Sequence, residues 1–376
     1  MWRARLEIRN SEIVCGCKNS YEYIYEFEVK NLLKQLLDKR NLPALKERAQ
    51  MLDILMKEEY GYMPPKPEKT SWVQTDNYIP NFCAGKAIIK KVEITSCVND
   101  KQFTFPVYVT IPAKEGKHPF FICINFRDCV PDLYIPTEEI IDNGFAVLSF
   151  CYNDVTRDNN DFTDGIAGIL YENGKRDVDS AGKIAMWAWA AQRVMDYAET
   201  LDCLDLDCSV VCGHSRLGKT ALLAAATDER FKFAYSNNSG CSGASLSRGK
   251  MGETIEDICR KFPYWFCENY LKYVKREDEM PFDQHYLAAS IAPRYVYIAS
   301  AKEDIWADPV SEMLTCVAIS EIYEKYGKRG FVCEERLPQV GDEFHYGSVG
   351  YHLRAGLHYF SREDWLKIIK FVKMHS

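Results

Sequence analysis

The sequence lacks the features that would place the protein in a membrane or on nucleic acid. No run of about 18 apolar residues occurs, which excludes a transmembrane helix. Its 47 lysines and arginines form no basic block and are outnumbered by 54 aspartates and glutamates, which argues against nucleic acid as a main partner. The opening residues, MWRARLEIRN, lack the apolar core of a signal peptide. We therefore expect a cytoplasmic protein with neither a membrane nor a nucleic-acid partner.

Paired cysteine spacings are also scarce, although the chain has 15 cysteines. Only Cys15 and Cys17 stand close together, and without a matching second pair they are weak evidence for a metal site. Others are scattered through apolar runs, as Cys123, Cys151 and Cys212 are. Such positions are typical of reduced, buried thiols in an intracellular protein. We expect no metal and no organic cofactor.

What the sequence does contain is enough apolar material for a large core. Of its 376 residues, 47% are apolar and 27% are charged. Residues 21–60 are predicted as helical, and the prolines of Tyr62–Pro67 end that segment. We assign residues 1–70 to a helical extension that packs on the core, and residues 71–376 to one catalytic domain.

Downstream of these prolines the pattern becomes that of an α/β sheet. Two β-type runs, Ala87–Thr95 and Phe103–Pro112, are predicted to form a hairpin through Asn99-Asp100. Strands and helices then alternate, and no repeat or low-complexity tract interrupts them. Further strands are predicted at Pro119–Asn125, Phe145–Phe150, Phe231–Ser236, Arg294–Ser300 and Ser348–Arg354. Two antiparallel strands that lead into a doubly wound, mostly parallel sheet are the plan of the α/β-hydrolase fold. Two long lid-like excursions, 152–180 and 239–283, leave the carboxyl ends of strands, where such a sheet places its ligand crevice.

The most informative segment is Ser209–Ala226, SVVCGHSRLGKTALLAAA. An apolar strand breaks at Gly213, presents Ser215 in a tight turn and continues into an alanine- and leucine-rich helix. This is the pattern of a nucleophile elbow, in which the serine hydroxyl stands above the sheet at a helix N-terminus. The residues Gly213–Thr220 also satisfy the phosphate-binding pattern GxxxxGK[ST]. That pattern is a weaker interpretation, because it comes late in the domain and bulky side chains occupy the positions where backbone amides would wrap phosphate.

A serine nucleophile needs a base that is oriented by an acid, and in this fold the chain order is serine, acid, histidine. His358 lies between the last predicted strand and the closing helix, where the base belongs, and is favoured over His345, which precedes that strand. The acid is expected in the loop after the penultimate predicted strand. Asp304 leads there, with Glu303 and Asp308 as alternatives.

These residues carry a resemblance to a known family. Gly213–Lys219 resembles the GCSRxGK signature of the glucuronoyl esterases, carbohydrate esterase family 15, with His214 in place of the cysteine. Further similar segments lie within about residues 120–370. They are Met186–Trp189, Thr227–Phe231, Trp265-Phe266, Pro281–Arg294 and the loop of Trp306. The helix end Glu59–Gly61 is also similar to bacterial α/β hydrolases described as acetyl-xylan-esterase-like.

The resemblance implies an α/β-hydrolase that cleaves an ester of 4-O-methyl-glucuronic acid. Ser215 would be the nucleophile, Arg216 would support the oxyanion, and Lys219 would contact sugar hydroxyls. Trp306 would match a sugar-contacting tryptophan. Trp265 belongs to an aromatic lid segment that would either stack on the sugar or only pack its own small core. The expected ligand is a small carbohydrate ester.

Asn238 is the main departure from the family pattern. Many members carry an acid in a segment like QESG, where this chain has Ser236–Gly240. An amide cannot orient an imidazolium as a carboxylate does, so either the acid has moved to the loop of Asp304 or activity is weakened. The alternative functions are deacetylation of acetylated xylo-oligosaccharides, carbohydrate binding without turnover, and nucleotide binding.

Overall fold

In the part of the chain that the structure describes, one sheet of ten strands forms the centre. The structure, a computed structural model, describes residues 32–75 and 79–376. In chain order the strands are β1 (Lys69–Thr75), β2 (Ala87–Val98), β3 (Lys101–Pro112), β4 (His118–Asn125), β5 (Ala146–Cys151), β6 (Leu204–His214), β7 (Phe233–Asn237), β8 (Tyr295–Ala301), β9 (Glu343–Phe344) and β10 (Val349–Arg354). Their order across the sheet is β1-β2-β3-β5-β4-β6-β7-β8-β10-β9. The six central strands β5, β4, β6, β7, β8 and β10 are parallel, whereas β1, β2 and β3 at one edge and β9 at the other pair antiparallel with their neighbours. This topology confirms the predicted α/β-hydrolase fold.

The predicted hairpin is present, with longer strands than expected. Strands β2 and β3 pair from Val98 and Lys101 at the turn to Ala87 and Pro112 at the far end. The two turn residues, Asn99 and Asp100, have φ of 52° and 58°. Two successive residues in the left-handed region match the twist of the flanking strands, and Asn and Asp tolerate that conformation well. The edge strand β1, which the sequence pattern did not predict, extends this part of the sheet.

Helices cover both faces of the sheet. They are α1 (Leu32–Asp38), α2 (Arg48–Leu55), α3 (Thr137–Asp142), α4 (Tyr152–Val155), α5 (Gly165–Leu170), α6 (Lys183–Ala198), α7 (Arg216–Thr227), α8 (Ile255–Lys261), α9 (His285–Ala289), α10 (Pro309–Ala318), α11 (Ser320–Lys325) and α12 (Arg362–His375). Because side chains alternate along a strand, the neighbours Phe120 and Phe121 of β4 enter two different buried clusters. One cluster contains α6 and α7, and the other contains α12. A run that is apolar throughout, such as β4, follows from this burial on both faces.

The N-terminal helical prediction is wrong in part. Within the described residues, helix is interrupted after Asp38 and resumes at Arg48, because Asn41 adopts a φ of 48° and Pro43 follows it. A π-helical turn, Met56–Tyr60, then ends the segment. The remainder of the predicted helix and the pair Cys15 and Cys17 lie outside the described residues. The division into an extension (1–70) and a catalytic domain (71–376) stays a prediction.

Residues 32–75 contact the rest of the chain through both apolar and polar groups. Met51 and Leu55 are fully buried in the larger core cluster. The Tyr60 hydroxyl donates to the Ser242 carbonyl at 2.9 Å, and the Arg48 guanidinium donates to the carbonyl of Ser290 at 2.8 Å. This segment therefore contacts the part of the chain that lies between β7 and β8.

The part of the chain that the structure describes has no disulfide, no helix that could span a membrane and no cluster of metal ligands. All cysteines of residues 32–75 and 79–376 are free. Over the same residues, no helix is long and apolar enough to cross a bilayer. No group of three or more His, Cys, Asp or Glu side chains there could hold a metal ion.

Candidate active site

Four neighbouring parallel strands place the candidate residues at one edge of the sheet. Strands β6, β7, β8 and β10 lie side by side, and their carboxyl ends point to the same edge. Ser215 follows β6 directly, Asn238 follows β7, Asp304 follows β8, and His358 follows β10. The strand order, rather than proximity along the chain, therefore assembles the site.

Ser215 occupies the turn between β6 and α7. Its φ and ψ are 58° and −127°, a left-handed conformation that is strained for a residue with a side chain. Its amide donates to the Asn237 carbonyl at 2.8 Å, which ties the turn to the neighbouring strand. Gly213 is required here because a Cβ atom at this position would stand 2.2 Å from the Leu217 carbonyl oxygen. The tight turn between strand and helix is thus built from local sequence, as a nucleophile elbow requires.

Asp304 is the carboxylate that contacts His358. The two side chains meet at 2.6 Å between His358 Nδ1 and Asp304 Oδ2. The same Oδ2 accepts a hydrogen bond of 2.8 Å from Asn238 Nδ2. Burial opposes ionisation of Asp304, but the hydrogen bonds from His358 and Asn238 outweigh it and hold the pKa of Asp304 below its ordinary value. Asn238 therefore supports a carboxylate in the loop after the next strand, β8, instead of supplying one.

The structure places the other candidates away from this contact. Glu303 is exposed, and its carboxylate accepts from the Gly356 amide. Asp308 is buried as the N-cap of α10, where it accepts from Ser311 N at 3.2 Å. His345 is buried behind β8 and lies 2.7 Å from the Tyr297 hydroxyl. Glu303, Asp308 and His345 therefore take no part in the contact between Asp304 and His358.

Arg216, the first residue of α7, extends its side chain across an aromatic surface. The guanidinium carbon lies 4.6 Å from the ring centroid of Trp265 and 5.3 Å from that of Phe262. The guanidinium pairs with Asp158, which also accepts from Trp265 Nε1 at 2.7 Å. Since Arg216 begins the helix, its backbone N–H has no acceptor within α7. A backbone donor and a cation thus stand next to Ser215, as stabilisation of an oxyanion requires.

A cavity of about 310 Å³ joins these groups. Its lining residues are Ser215, Arg216, Lys219, Asn238, Ser239, Gly240, Glu253, Lys261, Phe262, Trp265, Asp304, Trp306, Ala307 and His358. Trp306 is 45% exposed and lies under the Lys261 ammonium, 4.9 Å from the ring centroid, whereas Trp265 is buried. The nucleophile, acid, base, oxyanion and sugar-contact candidates predicted from the sequence therefore all line one cavity, whose wall also contains cations, carboxylates and aromatic rings.

Lys219 is held more deeply than a surface sugar ligand would be. Its side chain is almost fully buried, and its ammonium donates to the Ser239 carbonyl. Burial lowers the pKa of Lys219, and the nearby Glu253 opposes that shift. Lys219 thus reaches the cavity while bracing the loop after β7.

The phosphate-binding interpretation of Gly213–Thr220 is wrong. Strand β6 continues to His214 and α7 begins at Arg216, so a single residue connects them. A phosphate-binding loop needs several successive amides around the anion. The Thr220 hydroxyl is bonded to the Arg216 carbonyl at 2.9 Å within the helix.

His214, at the position of the signature cysteine, packs directly on His358. The two ring centroids are 4.5 Å apart. Burial lowers the pKa of His214 to about 3, and the neighbouring His358 adds to that effect. The ring is therefore neutral at neutral pH, and its Nδ1 lies 2.6 Å from the amide oxygen of Asn237. Since an amide oxygen only accepts, the His214 proton lies on Nδ1.

Glu312 is a buried carboxyl beneath the loop that carries Asn238. It accepts from the Gly240 amide at 2.9 Å and from the Ser300 hydroxyl at 2.5 Å. Burial raises the pKa of Glu312 to about 8 against the effect of these hydrogen bonds. A folded-state pKa above the unfolded value means that the contribution of Glu312 to stability is complete below about pH 4.3 and is lost as pH rises through about 8.

The substitution Glu312→Gln is expected to flatten the pH dependence of the free energy of unfolding. Between pH 5 and 8.5 the variant should gain on the order of a few kcal/mol relative to wild type, because an amide need not be kept neutral. Urea unfolding at pH 5, 7 and 8.5 measures the difference. Glu115→Gln, on an exposed loop, is the control and should show a constant difference. A difference in the free energy of unfolding between Glu312→Gln and wild type that is the same at all three pH values would contradict the prediction.

Three charged residues of the site were not predicted from the sequence: Asp158, Glu253 and Lys261. All three lie in the two excursions, whose position at the carboxyl edge of the sheet was the available signal. Charged residues in such segments are ordinarily solvated, so nothing in the local pattern separated them from their neighbours.

Comparisons with known proteins identify relatives over most of the chain. A family model described as "Glucuronyl esterase, fungi" matches residues 94–327. Carbohydrate esterase MZ0003, from an unknown prokaryotic organism, is 40% identical over 240 residues, or 63% of this chain and 55% of the relative. The chain thus spans little more than half the length of this relative. The 4-O-methyl-glucuronoyl methylesterase 1 of Wolfiporia cocos is 27% identical over 310 residues, or 79% of this chain and 70% of the relative.

Solved structures with the same fold cover nearly the whole chain. The glucuronoyl esterase from Solibacter usitatus has a TM-score of 0.79 at 32% identity, over 87% of this chain and 91% of that one. A promiscuous esterase of carbohydrate esterase family 15 from a marine bacterial metagenome has a TM-score of 0.77 at 32% identity, over 88% and 91%.

Proposed function

Because the chain belongs to the glucuronoyl esterase family, carbohydrate esterase family 15, we propose that it hydrolyses a glucuronoyl ester of a carbohydrate through a serine acyl-enzyme. One observation carries the proposal. The 2.6 Å contact between His358 and Asp304 lies in the same cavity as Ser215 on its strained turn. A nucleophile, a base and an acid in this arrangement are suited to acyl transfer.

The reaction proceeds in two halves on these residues. His358 takes the proton of the Ser215 hydroxyl while the oxygen of that hydroxyl attacks the carbonyl carbon of the ester. The Arg216 amide and guanidinium stabilise the oxyanion, and Asp304 stabilises the imidazolium that forms. Collapse breaks the bond to the alcohol oxygen, which leaves with the proton from His358. A water molecule, deprotonated by His358, then attacks the acyl carbon. The bond to the Ser215 oxygen breaks, His358 returns the proton to that oxygen, and the uronic acid is released.

The composition of the cavity wall supports a sugar acid as the acyl group. Glu253, Lys219 and Lys261 supply charged hydrogen-bonding groups, and the half-exposed ring of Trp306 offers a flat face to a pyranose. The relatives named as 4-O-methyl-glucuronoyl methylesterases favour 4-O-methyl-glucuronate as that acid. An acetyl group would leave these polar groups without partners, which disfavours deacetylation energetically.

Two benzyl esters that share one alcohol test this function. We expect benzyl glucuronate to be hydrolysed with a kcat/KM at least about 100-fold above that of benzyl acetate, because only the sugar acid engages the polar wall. Release of benzyl alcohol is followed for both esters, with acetate release from acetylated xylo-oligosaccharides measured alongside. Faster turnover of the acetylated substrates would replace the proposal with deacetylation. Binding of glucuronate without turnover of any ester would replace it with a carbohydrate-binding role.

The cytoplasmic location expected from the cysteine usage stays a prediction. In that compartment the substrate would be a small imported ester fragment rather than a polymer.

A further inference from the structure

His358 stands on the exposed loop between β10 and α12. Its side chain is 44% exposed, and the flanking Leu357 and Tyr359 are 69% and 45% exposed. Exposed loops are the most mobile parts of a fold. A catalytic base, however, must be held to within about half an ångström of its working position. The base therefore needs an anchor beyond its side-chain hydrogen bond with Asp304 and its packing against His214.

Arg354, the last residue of β10, binds the backbone on both sides of His358. Its Nη1 donates to the Ala355 carbonyl at 2.9 Å and to the Leu357 carbonyl at 3.3 Å. Its Nη2 donates to the carbonyls of Leu357 and Tyr359. One guanidinium thus gathers three carbonyls of the loop, including those of both immediate neighbours of His358.

Arg354 is itself held by an ion pair with Asp364. The guanidinium Nε lies 3.0 Å from Oδ1 and 2.8 Å from Oδ2 of this carboxylate, and both residues are buried. Asp364, in the first turn of α12, also accepts from the amide of the N-cap residue Ser361 at 2.8 Å, which fixes the start of this helix. Burial opposes its ionisation, but His352 and Arg354 outweigh burial and lower the pKa of Asp364 to about 2. The anchor is therefore charged throughout the neutral range.

The loop of the acid is tied to the same segment. The Glu303 amide donates to the Gly356 carbonyl at 3.1 Å, and the Gly356 amide donates to the Glu303 carboxylate. The Lys302 amide donates to the Arg354 carbonyl at 2.9 Å. Three hydrogen bonds thus join Lys302-Glu303, which precede Asp304, to Arg354–Gly356, which precede His358.

We propose that Arg354 is a positioning residue for the base: on the anchor of Asp364, it holds the loop so that His358 faces both Asp304 and Ser215. The inference rests on the proposed function, in which His358 is the base. Buried ion pairs give little net stability compared with apolar side chains of similar volume. We therefore assign to the pair of Arg354 and Asp364 the role of fixing the conformation of the loop.

The test is Arg354→Lys, alone and combined with His358→Ala. Lysine retains the charge beside Asp364, but its three N–H donors leave one nitrogen atom and cannot span the carboxylate and the three separated carbonyls as the guanidinium does. For benzyl glucuronate we expect kcat to fall about 10- to 100-fold with KM within about 2-fold, as expected of a base misplaced by about an ångström. In the His358→Ala background the same substitution should change the residual rate by less than about 2-fold, since a residue that acts through His358 has nothing left to position.

Arg294→Lys is the matched control. Arg294 is also mostly buried and also binds three carbonyls, those of Asp228, Phe231 and Ala225, but it does so at the opposite end of the sheet, before β8. Thermal unfolding should show losses of stability in both lysine variants, whereas only Arg354→Lys should lose kcat. Equal losses of kcat in the two variants, or the same loss in the His358→Ala background, would overturn the inference in favour of a merely structural role.

A second variant keeps the inference testable if Arg354→Lys does not fold. Glu303→Gln weakens the tie to Gly356 at an exposed position, so we expect about a 3-fold lower kcat at unchanged melting temperature, and no effect in the His358→Ala background. Wild-type kcat in both Arg354→Lys and Glu303→Gln, with His358→Ala inactive, would overturn this inference alone. Wild-type kcat in His358→Ala would overturn the proposed function and this inference with it.

Discussion

The substitution Ser215→Ala is expected to lower kcat for benzyl glucuronate by about 10⁴-fold or more. The loss is large because the substitution removes the only hydroxyl on the strained turn, where the backbone conformation and the start of α7 present it to the cavity. In serine hydrolases, removal of the nucleophile leaves only the catalysis that binding and the oxyanion donors provide. Benzyl alcohol release under saturating substrate measures the effect.

Thr220→Ala is the matched control for this prediction. Its hydroxyl lies on the same helix as the nucleophile turn but is bonded to the Arg216 carbonyl and faces no substrate cavity. We expect ester turnover within about 3-fold of wild type, because only one hydrogen bond inside the helix is lost. Retention of most activity in Ser215→Ala, or a comparable loss in Thr220→Ala, would contradict the assignment of Ser215 as nucleophile. Titration of both proteins with glucuronate checks that the cavity remains intact.

The substitution Asp304→Asn should have the second largest effect, a loss of about 10³- to 10⁴-fold in kcat. An amide at this position cannot stabilise the imidazolium of His358 and offers no charge to accept its Nδ1 proton. We expect a larger loss of kcat from substitution of Asp304 than of Glu303 or Asp308, because only Asp304 makes the 2.6 Å contact with His358. The comparison with Glu303→Gln, one residue away, isolates the acid from general effects of charge in this loop.

Asn238→Ala should cost no more than about 10-fold, since it removes one hydrogen bond to Asp304 and leaves the acid in place. The loss should grow as pH falls. Without the Asn238 donor the pKa of Asp304 moves back up, so the carboxylate is protonated at a higher pH than in wild type. A pH profile of kcat from pH 4 to 8 measures the shift. A larger loss in Asn238→Ala than in Asp304→Asn would move the acid assignment.

Local signals in the sequence were enough to predict most of the sheet. The Asn99-Asp100 turn, the fully apolar run of β4 and the strand that precedes Ser215 are each contained in a dozen residues or fewer. Such patterns report the burial and turn geometry of their own segment, which is why they predict structure without knowledge of the rest. The N-terminal helix was less well predicted, because Asn41 and Pro43 interrupt the helical backbone inside a segment that was assigned as one helix.

By itself, the sequence determined the fold class, the turn that carries Ser215, the position of His358 and a short loop in which the acid had to lie. Only the tertiary structure decided which carboxylate of that loop meets His358, because the choice depends on the packing of β8 beside β10, 54 residues further along the chain. The same holds for the contact of Asn238 with Asp304 across 66 residues and of Asp158 with Arg216 across 58. A local pattern reports how one segment is buried, whereas these contacts arise from which strands become neighbours and where the loops between them return.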